Sequence, residues 1–282
     1  MKANDYWLYV SQCIEASRCL AIYGIPAGKE KKFEEFIGRF QELGLAGNVN
    51  RIWSTCIQNI NATFAWLDKT SGEWDFPWDS WIEEVKTNEG ELPYTLREPD
   101  EYIQKADWID VMILKELEKD CTIKLKDIAK KLDMSLQRLR YHYKNHVIKE
   151  GMFEGNQVIA EYYSGSPSDL HFFTFSFKNR ENLTKLACSL MYKPFAKGMG
   201  KEYGKNRLFA QIYLPREQLR NFIASLGKLV RAGFLETYEY VIQDPVKKER
   251  QTISYEFFRD GKWEYDDERY LEKLQSIVKR AG

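Results

Sequence analysis

Hydrophobic positions in the C-terminal part of the chain follow strand and helix periods in a regular order. The segment HFFTFSF at 171–177 has the alternation of a strand, and the apolar residues after Pro215 recur at helical spacing until Gly233. This β-α-β-β-α-β order is the ferredoxin-like motif, in which two helices cover one face of an antiparallel sheet. The predicted elements are strands at 171–177 and 234–242, a strand pair across 196–214, helices from Asn179 to Leu190 and from Pro215 to Gly233, and an added strand at 252–258 and helix at 267–280.

The later part of this pattern recurs at one fixed offset of 189 residues, which indicates an internal duplication. The register holds without a gap, and its matches include Arg18 with Arg207, Pro26 with Pro215, Gly44 with Gly233, Gly72 with Gly261, and Trp74 with Trp263. We therefore expect a first, incomplete ferredoxin-like module at 1–86 and a second module with a C-terminal extension at 171–282. The first copy is predicted to contain a strand pair at 6–25, a helix at 29–43, strands at 48–57 and 62–67, and a helix at 78–86.

The two copies differ in length at their N-terminal side. A full unit would span 94–282, so the counterpart of 94–189 would precede Met1. We expect the chain to be either a fragment that lacks an upstream segment or a natural form that lost these elements. The coding sequence upstream of Met1 distinguishes the two.

Between the copies, the apolar spacing becomes helical over 105–155. It predicts three helices, with a tight break at Asp133-Met134 and Ser135 as the cap of the third helix. Ala129 lies where the second and third helices would approach closely, and Asp133 lies where the turn requires a left-handed residue. The segment at 87–104 has no hydrophobic periodicity and is predicted to be a linker, while 156–170 is predicted to be a hinge strand.

Charge is balanced over the whole chain but not along it. The 42 basic residues equal the 42 acidic ones, which excludes a globally basic nucleic-acid coat. Residues 124–149 nevertheless hold eight Lys and Arg against two acidic residues, and the third predicted helix carries much of this charge. A cationic third helix after a short turn is typical of a helix-turn-helix, whose second motif helix enters the major groove of DNA.

The outward side chains of this segment are the predicted DNA-binding residues. Arginine can bind guanine edges or phosphates with two hydrogen bonds, glutamine can read adenine, and lysines neutralise phosphates. The candidates are Lys124, Lys126, Ser135, Gln137, Arg138, Arg140, Tyr141 and Lys144. Two alternatives stay open: the helical segment could dock a protein in a small-molecule-sensing or scaffold protein, or the aromatic residues of the sheet could bind single-stranded RNA.

Other chemistries find little support in the sequence. The five cysteines are scattered without a CxxC pair, which favours reduced thiols in a cytoplasmic protein. His142 and His146 have metal-ligand spacing, but no carboxylate or cysteine follows nearby in the sequence, so we expect no metal site, with one imidazole packed and the other facing phosphate. No catalytic motif, cofactor motif or membrane-spanning apolar run appears, so we expect neither an enzyme nor a membrane protein.

Residues 107–155, followed by the β-α-β-β-α-β module, resemble the leucine-responsive regulator/AsnC (feast–famine) family of bacterial and archaeal transcription regulators. The resemblance covers 107–244 and, more weakly, 6–58. Its matching positions are Ile109-Asp110, the run from Asp127 to Leu132, Ser135, Leu139, Gly151 and Gly155.

The resemblance implies an α+β protein with a winged-helix-like helix-turn-helix and paired ferredoxin-like modules, which binds double-stranded DNA and forms a homo-oligomer or an intrachain pseudo-dimer. Members of the family bind amino acids between subunits at a Gly-x-x-Asp turn. Here that turn reads Gly204-Lys205-Asn206-Arg207, and Arg18 occupies the matching position of the first copy, so a family-type effector is in doubt and its site is unassigned.

Overall fold

The computed structural model describes residues 1–15, 17–61, 63–100, 106–156, 163 and 166–281. Most of the predicted hinge strand at 156–170 lies outside these residues. The strands are β1 (Trp7–Cys13), β2 (Cys19–Tyr23), β3 (Gln58–Asn59), β4 (Ser168–Ser176), β5 (Ala196–Lys201), β6 (Arg207–Pro215), β7 (Thr237–Arg250), β8 (Phe258–Arg259) and β9 (Lys262–Trp263). The helices are α1 (Glu30–Glu42), α2 (Trp78–Thr87), α3 (Trp108–Lys119), α4 (Leu125–Lys131), α5 (Leu136–His142), α6 (Arg180–Leu190), α7 (Arg216–Arg231) and α8 (Asp267–Ala281).

One antiparallel sheet organises the molecule. Its strand order is β2-β1-β7-β4-β6-β5-β3, with β4 paired to β6 on one side and to β7 on the other. The four strands of the second copy, β7-β4-β6-β5, have the order of a ferredoxin-like sheet, with α6 and α7 as the two connecting helices. The predicted fold class is therefore confirmed.

Alternation along β4 sends aromatic rings into the main core. Phe173 and Phe175 lie on the same side of the strand because side chains two residues apart share a face, and both are buried. Leu186 of α6 and Phe222 of α7 meet them from above the sheet. On β5, Gly200 is required because an added Cβ would lie 2.2 Å from the ring of Phe209.

Matched contacts show that the duplication is structural. Two hydrogen bonds have counterparts whose donor and acceptor residues each lie 189 positions away along the chain. The donor–acceptor distances within each pair agree within 0.1 Å. Gly44 and Gly233 also share a left-handed backbone, with φ of 68° and 70°. The pairs are Cys13 N–H to Arg18 O (2.9 Å) with Glu202 N–H to Arg207 O (2.9 Å), and Ile14 N–H to Ile242 O (2.8 Å) with Tyr203 N–H to Trp53 O (2.7 Å).

The copies exchange elements reciprocally. Strand β1 of the first copy pairs with β7 of the second, and β5 of the second copy pairs with β3 of the first. Helix α2 packs on α6 and α7, while its counterpart α8 packs on α1. The segments predicted at 1–86 and 171–282 therefore share their sheet and cores, and their boundaries as domains remain a prediction.

The prediction of a linker at 87–104 is wrong for the part of this segment that the structure describes. Leu92 and Leu96 are buried in the main core, and a single 3-10 turn at Tyr94–Leu96 places the second of them. The Cys188 thiol donates a hydrogen bond to the carbonyl of Glu91 (3.0 Å). Two leucines four positions apart are too few for a periodic signal, although they are enough to fix the segment against the sheet.

Several predicted strands differ in extent from the observed ones. Within the strand predicted at 48–57 the structure has an isolated bridge from Ser54 to Glu202, and β3 lies just beyond it. In the described part of 62–67 the structure has only a bridge from Leu67 to Trp74. Part of the strand predicted at 252–258 is a 3-10 turn at Tyr255–Phe257. Ser54 pairs with a residue of the other copy, whereas Leu67 pairs with Trp74 inside its own copy, and local alternation reveals neither partner.

The exchange predicts that a residue of the first copy stabilises the second. Trp81 of α2 is 1% exposed, donates its indole N–H to Ser189 Oγ (2.9 Å), and lies 5.6 Å from the Phe222 ring between centroids. We expect Trp81→Ala to lower the free energy of unfolding by about 3–5 kcal/mol, since it leaves a large cavity. Chemical denaturation measures the loss, and hydrogen exchange should show faster opening of α6 and α7 as well as of α2.

The matched control for this change is Trp108→Ala, because that indole is 44% exposed. We expect its effect to stay below about 1 kcal/mol. Faster exchange confined to residues 1–86 in the Trp81 variant would contradict a shared core.

Candidate nucleic-acid interface

Helices α3, α4 and α5 form a compact three-helix unit. Helix α3 begins with a capping box, in which Asp107 Oδ1 accepts from the backbone N–H of Ile109 (2.8 Å) and Asp110 (3.1 Å), and Asp110 Oδ2 accepts from the N–H of Asp107 (3.0 Å). Helix α5 continues into a π-helical turn at Tyr143–Ile148, so the third helix is longer than its α-helical part.

Apolar side chains at helical spacing hold the unit together. Ile113, Ile128, Leu139 and Val147 are fully buried and come from all three helical segments. Ala129 is buried in the same cluster on α4, where its small side chain permits close contact with α5.

The turn between α4 and α5 has the predicted geometry. Asp133 adopts a left-handed backbone with φ of 50°, and Met134 N–H donates to the carbonyl of Ala129 (3.0 Å). Ser135 caps α5, since its hydroxyl accepts from the N–H of Arg138 (3.3 Å). The predicted break and cap are therefore confirmed.

The eight predicted DNA-binding residues all lie on the surface of this unit, and Tyr141 is 58% exposed. Arg138 and Arg140 form no ion pair with any residue that the structure describes, whereas Lys131 is paired with Glu116. The structure thus gathers an exposed cationic face on α4, α5 and the turn between them. The residues of this face, called the cationic face below, are Lys124, Lys126, Ser135, Gln137, Arg138, Arg140, Tyr141 and Lys144.

The three-helix unit packs on the rest of the protein through α3. Val111 and Met112 are buried in a cluster with Tyr255 and Phe258 of the C-terminal extension. The Tyr255 hydroxyl donates to Glu118 Oε2 (2.5 Å). Burial and the neighbouring carboxylate raise the pKa of Tyr255, so its hydroxyl keeps the donated proton. Among the described residues, the buried side of this contact comes from α3, with Leu132 at the end of α4 packed against the same cluster, and the cationic face stays accessible.

The sequence prediction for the histidines is wrong in its premise. Nδ1 of His142 lies 2.9 Å from Asp110 Oδ1, and Nδ1 of His146 lies 3.1 Å from Asp110 Oδ2. Asp107 Oδ2 is 3.4 Å from the same nitrogen of His142. The two carboxylates were missed because they precede the histidines by more than thirty positions. The available signal was Asp110 itself, an acid beside Ile109 and Ile113 on a helix face that is otherwise apolar.

Comparison with known protein families locates this unit among DNA-binding domains. Residues 107–145 match the family model described as winged helix-turn-helix DNA-binding. The chain carries a helix-turn-helix domain.

Solved structures similar to this chain include transcription regulators, all at low identity. AsnC of E. coli is 16% identical over 54% of this chain and 99% of its own, with a TM-score of 0.37. An AsnC family transcriptional regulator from Agrobacterium tumefaciens is 13% identical over 55% of this chain and 100% of its own (TM-score 0.43). A transcriptional regulator from Neisseria meningitidis, solved as a complex with L-Met, is 12% identical over 53% of this chain and 96% of its own (TM-score 0.43). Two of the three bear the name of the family that the sequence resembles.

The search of curated proteins gave no match to this chain. Among the residues that the structure describes, no helix combines the length and the apolar character needed to cross a membrane.

The close contact at Ala129 gives a test of the domain's packing. We expect Ala129→Leu to destabilise the helix-turn-helix by about 1–3 kcal/mol, because the added carbons must displace α5. Hydrogen exchange of residues 136–148 measures this loss. Lys130→Leu introduces the same side chain at an exposed neighbouring position and serves as the control. Equal exchange rates in the two variants would contradict the close approach of α4 and α5.

Proposed function

We propose that this protein is a sequence-specific transcription regulator of the leucine-responsive/AsnC type, which binds duplex DNA through its helix-turn-helix. The observation that supports this most directly is the exposed cationic face, whose Arg138 and Arg140 form no ion pair within the described residues, in a segment that matches DNA-binding domains. Exposed guanidinium groups without an ion-pair partner are available to bind phosphates and base edges, since the protein does not already neutralise their charge.

We assign roles within the cationic face by side-chain chemistry. Gln137, Arg138, Arg140 and Tyr141 lie on the third helix and are proposed to contact base edges in the major groove. Lys124, at the start of α4, and Lys144, in the π-helical turn, flank this helix and are proposed to contact phosphates. Lys126 and the exposed Ser135 complete the proposed phosphate contacts.

The proposed assembly on DNA is based on the number of recognition helices in each chain. The reciprocal exchange between the repeat copies supports an intrachain pseudo-dimer, yet only one helix-turn-helix is described per chain. A two-fold symmetric operator presents two half-sites about one helical turn apart, so we propose that two chains occupy such an operator.

An amino-acid effector of the family type is not assigned. At the turn where the family has Asp, this chain has Arg207, whose guanidinium lies 3.4 Å from Glu202 and 3.9 Å from Glu239. An arginine engaged by two carboxylates presents no acceptor to the ammonium group of an amino acid. Any small-molecule effector of this protein is therefore proposed to bind elsewhere.

The first test of the proposal removes the two guanidinium groups. We expect Arg138→Ala with Arg140→Ala to weaken binding to a DNA site selected by the wild-type protein, by about 1–3 kcal/mol for each base-contacting side chain that is removed. Fluorescence anisotropy titration at physiological salt measures the affinity. Lys247→Ala with Lys248→Ala removes the same charge from an exposed part of β7 and should leave binding nearly unchanged. Equal losses in the two double variants would contradict a specific interface on the third helix.

The second test distinguishes DNA from a docked protein or single-stranded RNA on the sheet. Removing one phosphate-binding lysine should reduce the slope of log affinity against log salt by about 0.9, so Lys124→Ala with Lys126→Ala should flatten the slope by about two. An unchanged slope would show that these two lysines do not contact phosphates. A partner that binds with almost no salt dependence would instead favour protein docking.

A further inference from the structure

Four metal-ligating side chains converge between the first and third helices of the helix-turn-helix. Asp107 and Asp110 come from the start of α3, His142 from the end of α5, and His146 from the π-helical turn. One ligand atom from each side chain lies within 4.8 Å of all the others, and the two imidazole rings are 4.7 Å apart between centroids.

The separations of these atoms fit a tetrahedral cation. With metal–ligand bonds of about 2.0–2.1 Å, neighbouring ligand atoms of a tetrahedral zinc site lie about 3.3–3.4 Å apart. The nitrogen-to-oxygen separations are 2.9 Å and 3.1 Å to the two oxygens of Asp110 and 3.4 Å to Asp107 Oδ2. One ligand atom of each residue lies within 4.8 Å of the others, so rotations of the side chains must shorten the longer separations when an ion binds. The 3.4 Å separation of His142 Nδ1 from Asp107 Oδ2 is long for a charge-assisted hydrogen bond but suits two ligands of one ion.

The surroundings hold the carboxylates in place and leave ligand positions available. Asp107 Oδ1 is engaged by two backbone N–H groups, which leaves Oδ2 directed to His142. Asp110 Oδ2 accepts from the N–H of Asp107, and its Oδ1 meets only His142 in the described structure. Hydrogen bonds of this kind orient the ligands of metal sites and raise their affinity.

The site also has an entry path. The Asp110 side chain is fully buried, but the side chains of Asp107 and His146 are 50% and 32% exposed, so the cluster opens to solvent on one side. Without a metal, the two imidazoles can each donate an Nδ1–H to Asp110. An imidazole that ligates through Nδ1 carries its proton on Nε2, so on metal binding the ion takes the place of each Nδ1 proton, and that proton moves to Nε2 by exchange with solvent.

We propose that Asp107, Asp110, His142 and His146 bind a divalent transition-metal ion, with Zn²⁺ the best suited to two imidazoles and two carboxylates in tetrahedral geometry. The ion would join the start of α3 to the third helix and so fix the orientation of the cationic face. The site does not depend on the proposed function, because metal binding is measured without DNA.

The test is calorimetric titration of the full chain with Zn²⁺ after treatment with a chelator. We expect one ion to bind per chain with these residues, and His142→Gln or His146→Gln to weaken that binding about 100-fold or more, since each removes a direct ligand. His146 is part-exposed, so His146→Gln should fold even if the buried His142→Gln does not, and thermal melting of the metal-free variants checks this.

Two controls separate the site from other ligands. Asp127→Asn removes an exposed carboxylate of α4 outside the cluster, and Cys121→Ser removes an exposed thiol of the same domain. Both variants should bind Zn²⁺ as the wild type does, and the absorption spectrum with Co²⁺ should show nitrogen and oxygen ligands without thiolate bands. No binding by the wild type, or binding that survives in His146→Gln, overturns the proposal.

Discussion

Neither repeat copy can bury its own hydrophobic surface, and the architecture follows from this constraint. The faces of α6 and α7 that carry Phe222 and Leu186 would be partly exposed without α2, which the chain supplies from the other copy. In return, α8 covers α1 in a second core that includes Phe36 and Tyr270. Pairing of β1 with β7 and of β3 with β5 fixes the register of both exchanges through backbone hydrogen bonds. These strand pairs join the two copies into one continuous sheet, and the exchanged helices complete a core on each copy.

Within the described residues, the helix-turn-helix packs on this scaffold mainly through its first helix. Val111 and Met112 of α3 pack on Tyr255 and Phe258, whose segment connects β7 to α8. The domain has its own core around Ile113, so this contact sets its placement and not its fold. An attachment through the first helix is compatible with DNA binding, because the third helix must stay uncovered to enter a groove.

Features that depend on neighbouring residues could be predicted from the sequence. Features that depend on a partner far away in the sequence could not. Asp133 could be assigned to a left-handed turn and Ser135 to a cap because both roles depend on neighbouring backbone. Leu96 was placed in a linker because its burial depends on a sheet formed far away in the sequence. The repeat was found from matched glycines such as Gly44 and Gly233, but the exchange between the copies leaves no mark in either copy alone.

The buried acid at Asp110 shows how the same limit applies to chemistry. A carboxylate with no exposure must be neutralised or fully hydrogen-bonded, so its presence in an apolar helix face already demands partners. The sequence offers many candidates for that role, and only the packing of α5 against α3 selects His142 and His146. The selection has a mechanical consequence, because the acid ties the third helix to α3, which packs on the C-terminal extension. A ligand that changes this tie would act on the cationic face without contacting it, since the same helix carries the face and the two imidazoles.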